Sequence, residues 1–259
     1  MFHVRLNFIL LFILCVSISL NVVLYSLNSE LKREVEALRE RLKPLPPAEN
    51  KSLIEVSPGV YRLPSPVLKG SLSVEEAIYR RRSRREFSGE PLTAFELSQI
   101  LWAAQGITDP ERGFRAAPSA GATYPMEVYA VIGDNGVKGL KAGVYKYDPY
   151  THSITLVLEG DLRELLAVQA YGQEWVAKAP VDIVLTAVYE RTTRVYGERG
   201  VRYVHMEAGH IGQNIYLICE AMGLGTVVVG AFNDEGVKKL LKLPENEMPL
   251  YIIPIGKTS

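Results

Sequence analysis

The chain has 259 residues, 47% of them hydrophobic, enough to bury a sizeable core as one domain with an appendage. Lys and Arg together number 29, as do Asp and Glu, so the net charge is zero and a general nucleic-acid binder, which carries a basic excess, is excluded. Two cysteines and four scattered histidines exclude a disulfide framework and supply no metal-spaced set.

In chain order, Leu6 to Ser29 contains no charged residue, and its length suits one membrane crossing. A secretory signal is the rival reading, but the run is long for one and no small-x-small cleavage site follows. We read residues 6–29 as an uncleaved anchor. Arg5 precedes it, while Lys32, Arg33, Arg39, Arg41 and Lys43 follow, which places the C-terminal body on the cytoplasmic side. Leu27, Leu31, Val35, Leu38 and Leu42 then mark a short helix, equally a coiled-coil seam or a solvated stalk. Pro44, Pro46 and Pro47 end it in a polar linker. The expected organisation is an anchor over 1–29, a stalk and linker over 30–52, and a body over 53–259.

The body opens with Ser73-Val-Glu-Glu76, a capping box that starts a helix. This helix leads into Arg80–Phe87, which reads Arg-Arg-Arg-Ser-Arg-Arg-Glu-Phe. Arg81, Ser83 and Arg85 share a face only if the helix stops there and the chain extends. Converging so, they would hold a phosphate, whose oxygens match arginine forks. A solvated basic face, or a patch for anionic lipid or nucleic acid, is the competing reading. Thr93-Ala-Phe-Glu96 is a second capping box, predicting a helix through Ala104 that stops at Gly106. Strands are predicted at Val128–Ile132, Val181–Val188, Thr226–Val229 and Leu250–Ile255. A hairpin joins Gly143–Tyr147 to Ser153–Leu158, and helices cover Asp161–Tyr171, capped by Asp161, and Val201–Met222. The fold class is α+β, a mixed sheet flanked by helices.

No Gly-x-Gly-x-x-Gly, phosphate-binding Gly-x-x-x-x-Gly-Lys-Ser/Thr or Gly-x-Ser-x-Gly is present, so a phosphate clamp needs another scaffold. Three further stretches have the character of a cofactor site. Ala117–Pro125 is a run of small residues between prolines, through which backbone can approach a flat ligand; an ordinary loop reads the same way. Gly223–Phe232 ends a buried strand in Gly230-Ala231, where backbone N–H groups can meet a ring nitrogen. Lys257 is a cation at the end of the last strand.

Together, in this order, the four stretches resemble the FMN-dependent nitroreductase family, and within it the branch of SagB-type dehydrogenases. The resemblance runs from about Ser71 to Lys257. It implies that Arg81, Ser83 and Arg85, with Arg82 adjacent, grip the FMN phosphate, which Lys257 also reaches. It implies that Pro118, Ser119, Ala120 and Gly121 line the flavin, and that Gly230 and Ala231 lie near its reactive N5. Glu207–Asn214 also matches the branch, with Gln213 either a flavin contact or part of a packed helix. The family's fold implies a homodimer with FMN at the subunit interface, NADH or NADPH as electron donor, and a small-molecule or peptide substrate. The expected function is therefore a membrane-anchored FMN-dependent oxidoreductase passing hydride through N5; the alternative is a ligand-binding module of the same fold without turnover. The branch uses a Lys-Tyr pair as base and acid in azoline oxidation. Here Val195 stands at the lysine place and Tyr196 survives as the candidate catalytic residue. Valine takes no proton, which argues against that chemistry in that form.

Overall fold

The structure, a computed structural model, describes residues 24–33 and 52–258. The chain divides into two compact units, Met1–Lys43 and Pro44–Ser259. In the first, residues 24–33 are helical, and Leu27 and Leu31 of the expected seam are both exposed on that helix. Most of the expected anchor, residues 6–23, and the rest of the stalk and linker lie outside the described residues. No helix among the described residues is long and apolar enough to cross a membrane.

The second unit begins with a hairpin of β1 (Ile54–Ser57) and β2 (Val60–Arg62), which the sequence pattern did not reveal. Two capped helices follow, α1 (Val74–Arg80) and α2 (Ala94–Gln105). In each, the Ser or Thr side chain accepts the N3 backbone N–H and the N3 Glu reaches back, as the capping boxes require. A small ladder of β3 (Ile107–Asp109) and β4 (Phe114–Arg115) leads into the main strands β5 (Met126–Ile132), β6 (Gly143–Asp148) and β7 (Ser153–Glu159). After α3 (Arg163–Gln169) and α4 (Glu174–Lys178) come β8 (Val181–Ala187), α5 (Glu190–Tyr196) and the long α6 (Arg199–Ala221). The chain finishes with β9 (Leu224–Thr226), α7 (Asp234–Leu240) and β10 (Met248–Lys257).

Eight strands form one sheet in the order β1-β2-β7-β6-β5-β8-β10-β9. The expected mixed sheet takes a particular form: the pairings between its named strands are antiparallel, and a parallel contact among the described residues is the bridge from Leu92 to Val137. Short hairpins between consecutive strands favour this arrangement. β8 is buried along its whole length, as a near-continuous apolar strand must be. Its side chains alternate between two cores. Ile183 and Leu185 pack with α2 and α6, whereas Val184 packs with α3, α4 and α7 on the other face.

Three predicted boundaries differ. Asp161 does not cap α3 in the expected way; it chelates the Arg163 guanidinium and accepts the backbone N–H groups of Asp134 and Arg163. These bonds hold its carboxyl down at about 2 against the cost of burial. The predicted strand Thr226–Val229 is β9 displaced toward Leu224, and Val229 keeps only an isolated bridge to Ile252. The β6–β7 turn is one residue tighter than expected, because Asp148 pairs with Ser153.

Candidate functional site

α1 ends at Arg80 because Arg81 turns to extended geometry (φ −50°, ψ 128°), the condition under which Arg81, Ser83 and Arg85 share a face. The extended segment crosses the C-terminal half of α6. The Arg81 guanidinium lies 4.9 Å from the Tyr216 ring centroid, and the Ser83 hydroxyl is 2.8 Å from the Tyr216 hydroxyl. Tyr216 also accepts the Val228 N–H at 3.0 Å. With the phenol donating to Ser83, the serine proton remains free for an incoming anion. Arg85 sits over Trp175 at 5.1 Å. Neither Arg81 nor Arg85 forms an ion pair with a carboxylate among the described residues, whereas Arg84 between them pairs with Glu220.

Arg84 is thus tied to α6, while the charges of Arg81 and Arg85 face no carboxylate partner among the described residues. An open cleft of about 460 Å³ lined by Ser83, Arg84, Arg85, Glu86 and Thr258 borders the segment. Arg82 folds back onto the carbonyls of Tyr79 and Arg81. Lys257 reaches the same loop, where its backbone carbonyl accepts the Ser88 N–H and its ammonium lies 3.2 Å from Glu90.

Gly230 and Ala231 are exposed just after the Val229 bridge, and their N–H groups find no acceptor among the described residues. The Ala231 carbonyl is fixed by Gln173 at 2.9 Å, two residues before Trp175. Free N–H groups at an exposed strand end suit an acceptor atom of a flat ring. The clamp and this strand end are therefore connected through Tyr216–Val228 and through the 173–175 segment. Gln213 is exposed on α6, close to one turn before Tyr216.

The Pro118–Gly121 segment is built differently. Gly121 (φ 59°), Ala122 (φ 52°) and Tyr124 (φ 44°) all take left-handed geometry, a strain that non-glycine residues rarely carry. The strained turn is held from several sides. Ser119 Oγ accepts the Tyr124 N–H at 2.9 Å, and Thr123 meets Thr192 at 2.8 Å. Asn214 donates to the carbonyls of Ala103 and Ala116. A Cβ at Gly121 would lie 2.6 Å from the Tyr196 hydroxyl, so glycine is required here for Tyr196 to approach the segment. Tyr196 is itself steadied by an edge-to-face contact with Tyr203 at 5.2 Å, while Val195 points to solvent at 61% exposure.

Below the segment lies a group whose role the sequence did not disclose. Glu207 of α6 is 2% exposed and accepts from Gln105 Nε2 at 3.2 Å. Burial pushes its carboxyl up to about 7, against the opposing pull of the nearby Ser119 and Gln105 side chains and of Arg115.

The candidate residues therefore fall into two groups along α6. Arg81, Ser83, Arg85, Gly230 and Ala231 gather near its C-terminal half around Tyr216, whereas Gly121 of the Pro118–Gly121 segment meets Tyr196, which packs on Tyr203 near the helix start. Thirteen residues separate Tyr203 from Tyr216, about 20 Å of helix.

A sequence profile of the Nitroreductase family matches residues 78–257. A Methanocaldococcus jannaschii protein assigned as a nitroreductase is 50% identical over 186 residues, covering 72% of this chain and 91% of that protein. The microcin B17-processing protein McbC of Escherichia coli is 28% identical over 160 residues, which span 61% of this chain and 59% of McbC. Among solved structures, one from Ralstonia eutropha assigned as a nitroreductase superposes with a TM-score of 0.69 at 30% identity, covering 84% of this chain and 98% of that one. The E. coli microcin synthetase McbBCD complex with truncated pro-MccB17 gives a TM-score of 0.61 at 25% identity, covering 84% of each chain.

Proposed function

The chain belongs to the nitroreductase family, and from that membership and the two poles of the site we propose an FMN-dependent oxidoreductase in which each site is shared by two copies of the chain. The observation that carries this reading is the pair of uncompensated guanidiniums, Arg81 and Arg85, on either side of a serine hydroxyl held by Tyr216. Such a set fits a phosphate dianion. The free N–H groups of Gly230 and Ala231 fit a ring acceptor at the far end of the same ligand. When bound, FMN supplies the two-electron redox chemistry; the protein positions it and sets its surroundings. Arg81 and Arg85 hold the phosphate, Lys257 stands beside it, and the small Pro118–Gly121 segment lets backbone lie against the ring. Because that segment sits at the opposite pole of α6, the reading has it supplied by the second copy, consistent with an isologous dimer.

Tyr196, held over Gly121, is the acid nearest the ligand surface in this reading. Likeness to a microcin-processing protein makes a peptide substrate one candidate class beside small organic acceptors, with NADH or NADPH as the donor. The exposed Val195 speaks against azoline oxidation by a lysine base. We further propose residues 6–29 as a membrane anchor, with the expected outcome that the full-length chain stays with membranes after alkaline carbonate washing; full release would remove the anchor from the scheme.

The primary test uses the full-length chain with added FMN. Wild type is expected to retain flavin absorbance through gel filtration and to bleach anaerobically with NADH or NADPH. Arg81→Ala with Arg85→Ala should weaken retention by roughly 100-fold or more while circular dichroism is unchanged, since charge-assisted bonds contribute about 1.5–3 kcal/mol each. Undiminished flavin in the double variant would refute the clamp.

A further inference from the structure

We propose that the cleft formed by β5, β6, β7 and the β6–β7 turn binds the carboxylate of a planar organic acid, with Arg115 as its anchor. The site stands on the geometry below; that the acid is the substrate rests on the redox reading above. The cleft has a volume of about 630 Å³, within the range of small-ligand sites. Its lining takes in Ala122, one residue beyond the Pro118–Gly121 segment, together with Arg115, Tyr124, Tyr147 and Tyr150.

Arg115 is held in place but has no counter-ion. Its Nη1 donates to Gln105 Oε1 at 3.0 Å, and its guanidinium lies 4.5 Å from the Tyr124 ring centroid and 5.6 Å from that of Tyr150. It forms no ion pair among the described residues, its Nε–H is buried without an acceptor, and no described group accepts from Nη2. The other charges of the cleft are already engaged. Glu127 is shared by Lys146 at 3.2 Å and by Arg191, and Lys146 also meets Glu247 at 2.9 Å. Asp148 accepts the Tyr150 N–H at 2.9 Å and the Thr151 hydroxyl at 2.8 Å. Glu207 stands behind Gln105, whose amide separates it from Arg115. A guanidinium without a carboxylate at a cleft wall, with planar rings beside it, matches a carboxylate carried on a flat body.

The backbone supports the same assignment. Tyr124 takes left-handed geometry (φ 44°), a conformation that persists only where surrounding bonds hold it. Ser119 Oγ accepts its N–H at 2.9 Å, Arg191 donates to its carbonyl at 3.0 Å, and its phenol oxygen accepts the Arg115 N–H at 3.2 Å. Together these bonds fix the ring against the guanidinium. Backbone strain held so firmly clusters at ligand clamps.

The test uses the full-length chain as purified, with 4-nitrobenzoate and its uncharged analogue 4-nitrobenzamide as paired probes. By titration calorimetry, wild type should bind the acid about 10- to 100-fold more tightly than the amide, the discrimination that charge-assisted bonds to one guanidinium supply. Arg115→Gln should bring the two affinities within about 2-fold of each other. Tyr150→Ala, at a turn position 41% exposed, removes one ring from the cleft without opening the core and should weaken binding of the acid about 2- to 5-fold. This second variant keeps the site testable should Arg115→Gln fail to fold. In the flavin-loaded protein the preference for the acid should reside in KM rather than kcat, and Arg115→Gln should remove it. Equal affinity of wild type for acid and amide, a preference that survives Arg115→Gln, or acid binding undiminished in Tyr150→Ala overturns the proposal. Arg115-dependent binding of the acid to a chain that takes up no FMN supports the carboxylate site and overturns the redox reading alone.

Discussion

His152 lies at the turn between β6 and β7 with only 1% of its surface exposed, and each of its ring nitrogens is engaged. The Tyr147 hydroxyl is 2.8 Å from Nδ1, and Nε2 lies 2.7 Å from the Ser98 hydroxyl, which donates its own proton to the Pro64 carbonyl, and 3.0 Å from that carbonyl. A carbonyl can only accept, so the network assigns the proton to Nε2 and leaves Nδ1 to receive the tyrosine proton. Burial depresses the pKa of this imidazole to about 4. The unfolded chain would protonate it near 6.5, so folded protein binds fewer protons between those values and stability falls as pH drops through that window. Its share of the loss is about 3 kcal/mol. Urea midpoints should therefore fall between pH 6.5 and 4.5, with the His152 ring still giving the neutral Nε2–H signature by NMR at pH 5.5; an imidazolium signal there would contradict the assignment. At this scale the sequence was legible where chemistry is local. Spacing puts Arg81, Ser83 and Arg85 on one face of an extended chain but leaves a phosphate clamp and a solvated basic face both open. Tyr216 lies 133 residues from Ser83, and Gln105 lies 102 from Glu207, so no spacing rule connects them. Glu207 reads in the sequence as part of a packed helix, because its burial beside Gln105 exists only in the folded chain.

Among the elements, those with local punctuation were the most readable. Ser73 and Thr93 each cap their helix as their spacing demanded, and Gly223 (φ 71°) follows α6 where a left-handed stop was expected. Elements defined by their partners were not readable. β1 and β2 are exposed or half-exposed and lack a clear alternation, so they exist through the pairing of β2 with β7. Asp161 had the identity of a helix cap, but a nearby guanidinium competed for its oxygens and won. α6 is the element on which the site depends, because one phenol joins it both to the arginine segment and to Val228. Tyr216→Phe keeps the ring under Arg81 but removes both hydrogen bonds. Expected effects are a loss of about 1–2 kcal/mol in stability, since Val228 N–H is left unpaired, and about 10-fold weaker FMN retention. Calorimetry and equilibrium dialysis would check the two separately, and unchanged dialysis would show that Ser83 needs no orientation.

For the molecule as a whole, hydropathy patterning indicated a sheet covered by helices and the family resemblance an α+β fold; the structure shows helices on both sheet faces. They could not indicate which strands would be neighbours, because that depends on how β8 is inserted between β5 and β10. Nor could they show that the candidate residues occupy opposite poles of α6. With each site shared by two copies, as proposed above, that separation has a genetic consequence. Two chains disabled at different poles should rescue each other: one carrying Arg81→Ala with Arg85→Ala, the other carrying Gly121→Trp, which would displace Tyr196. Neither alone should retain flavin. Co-expressed in equal amounts, half of the pairs would be mixed, and each mixed pair would have one pocket with both poles intact, restoring about a quarter of wild-type occupancy. A gene of this kind would show intragenic complementation, and partial loss-of-function alleles would sort into two classes according to the end of a single helix that each one damages.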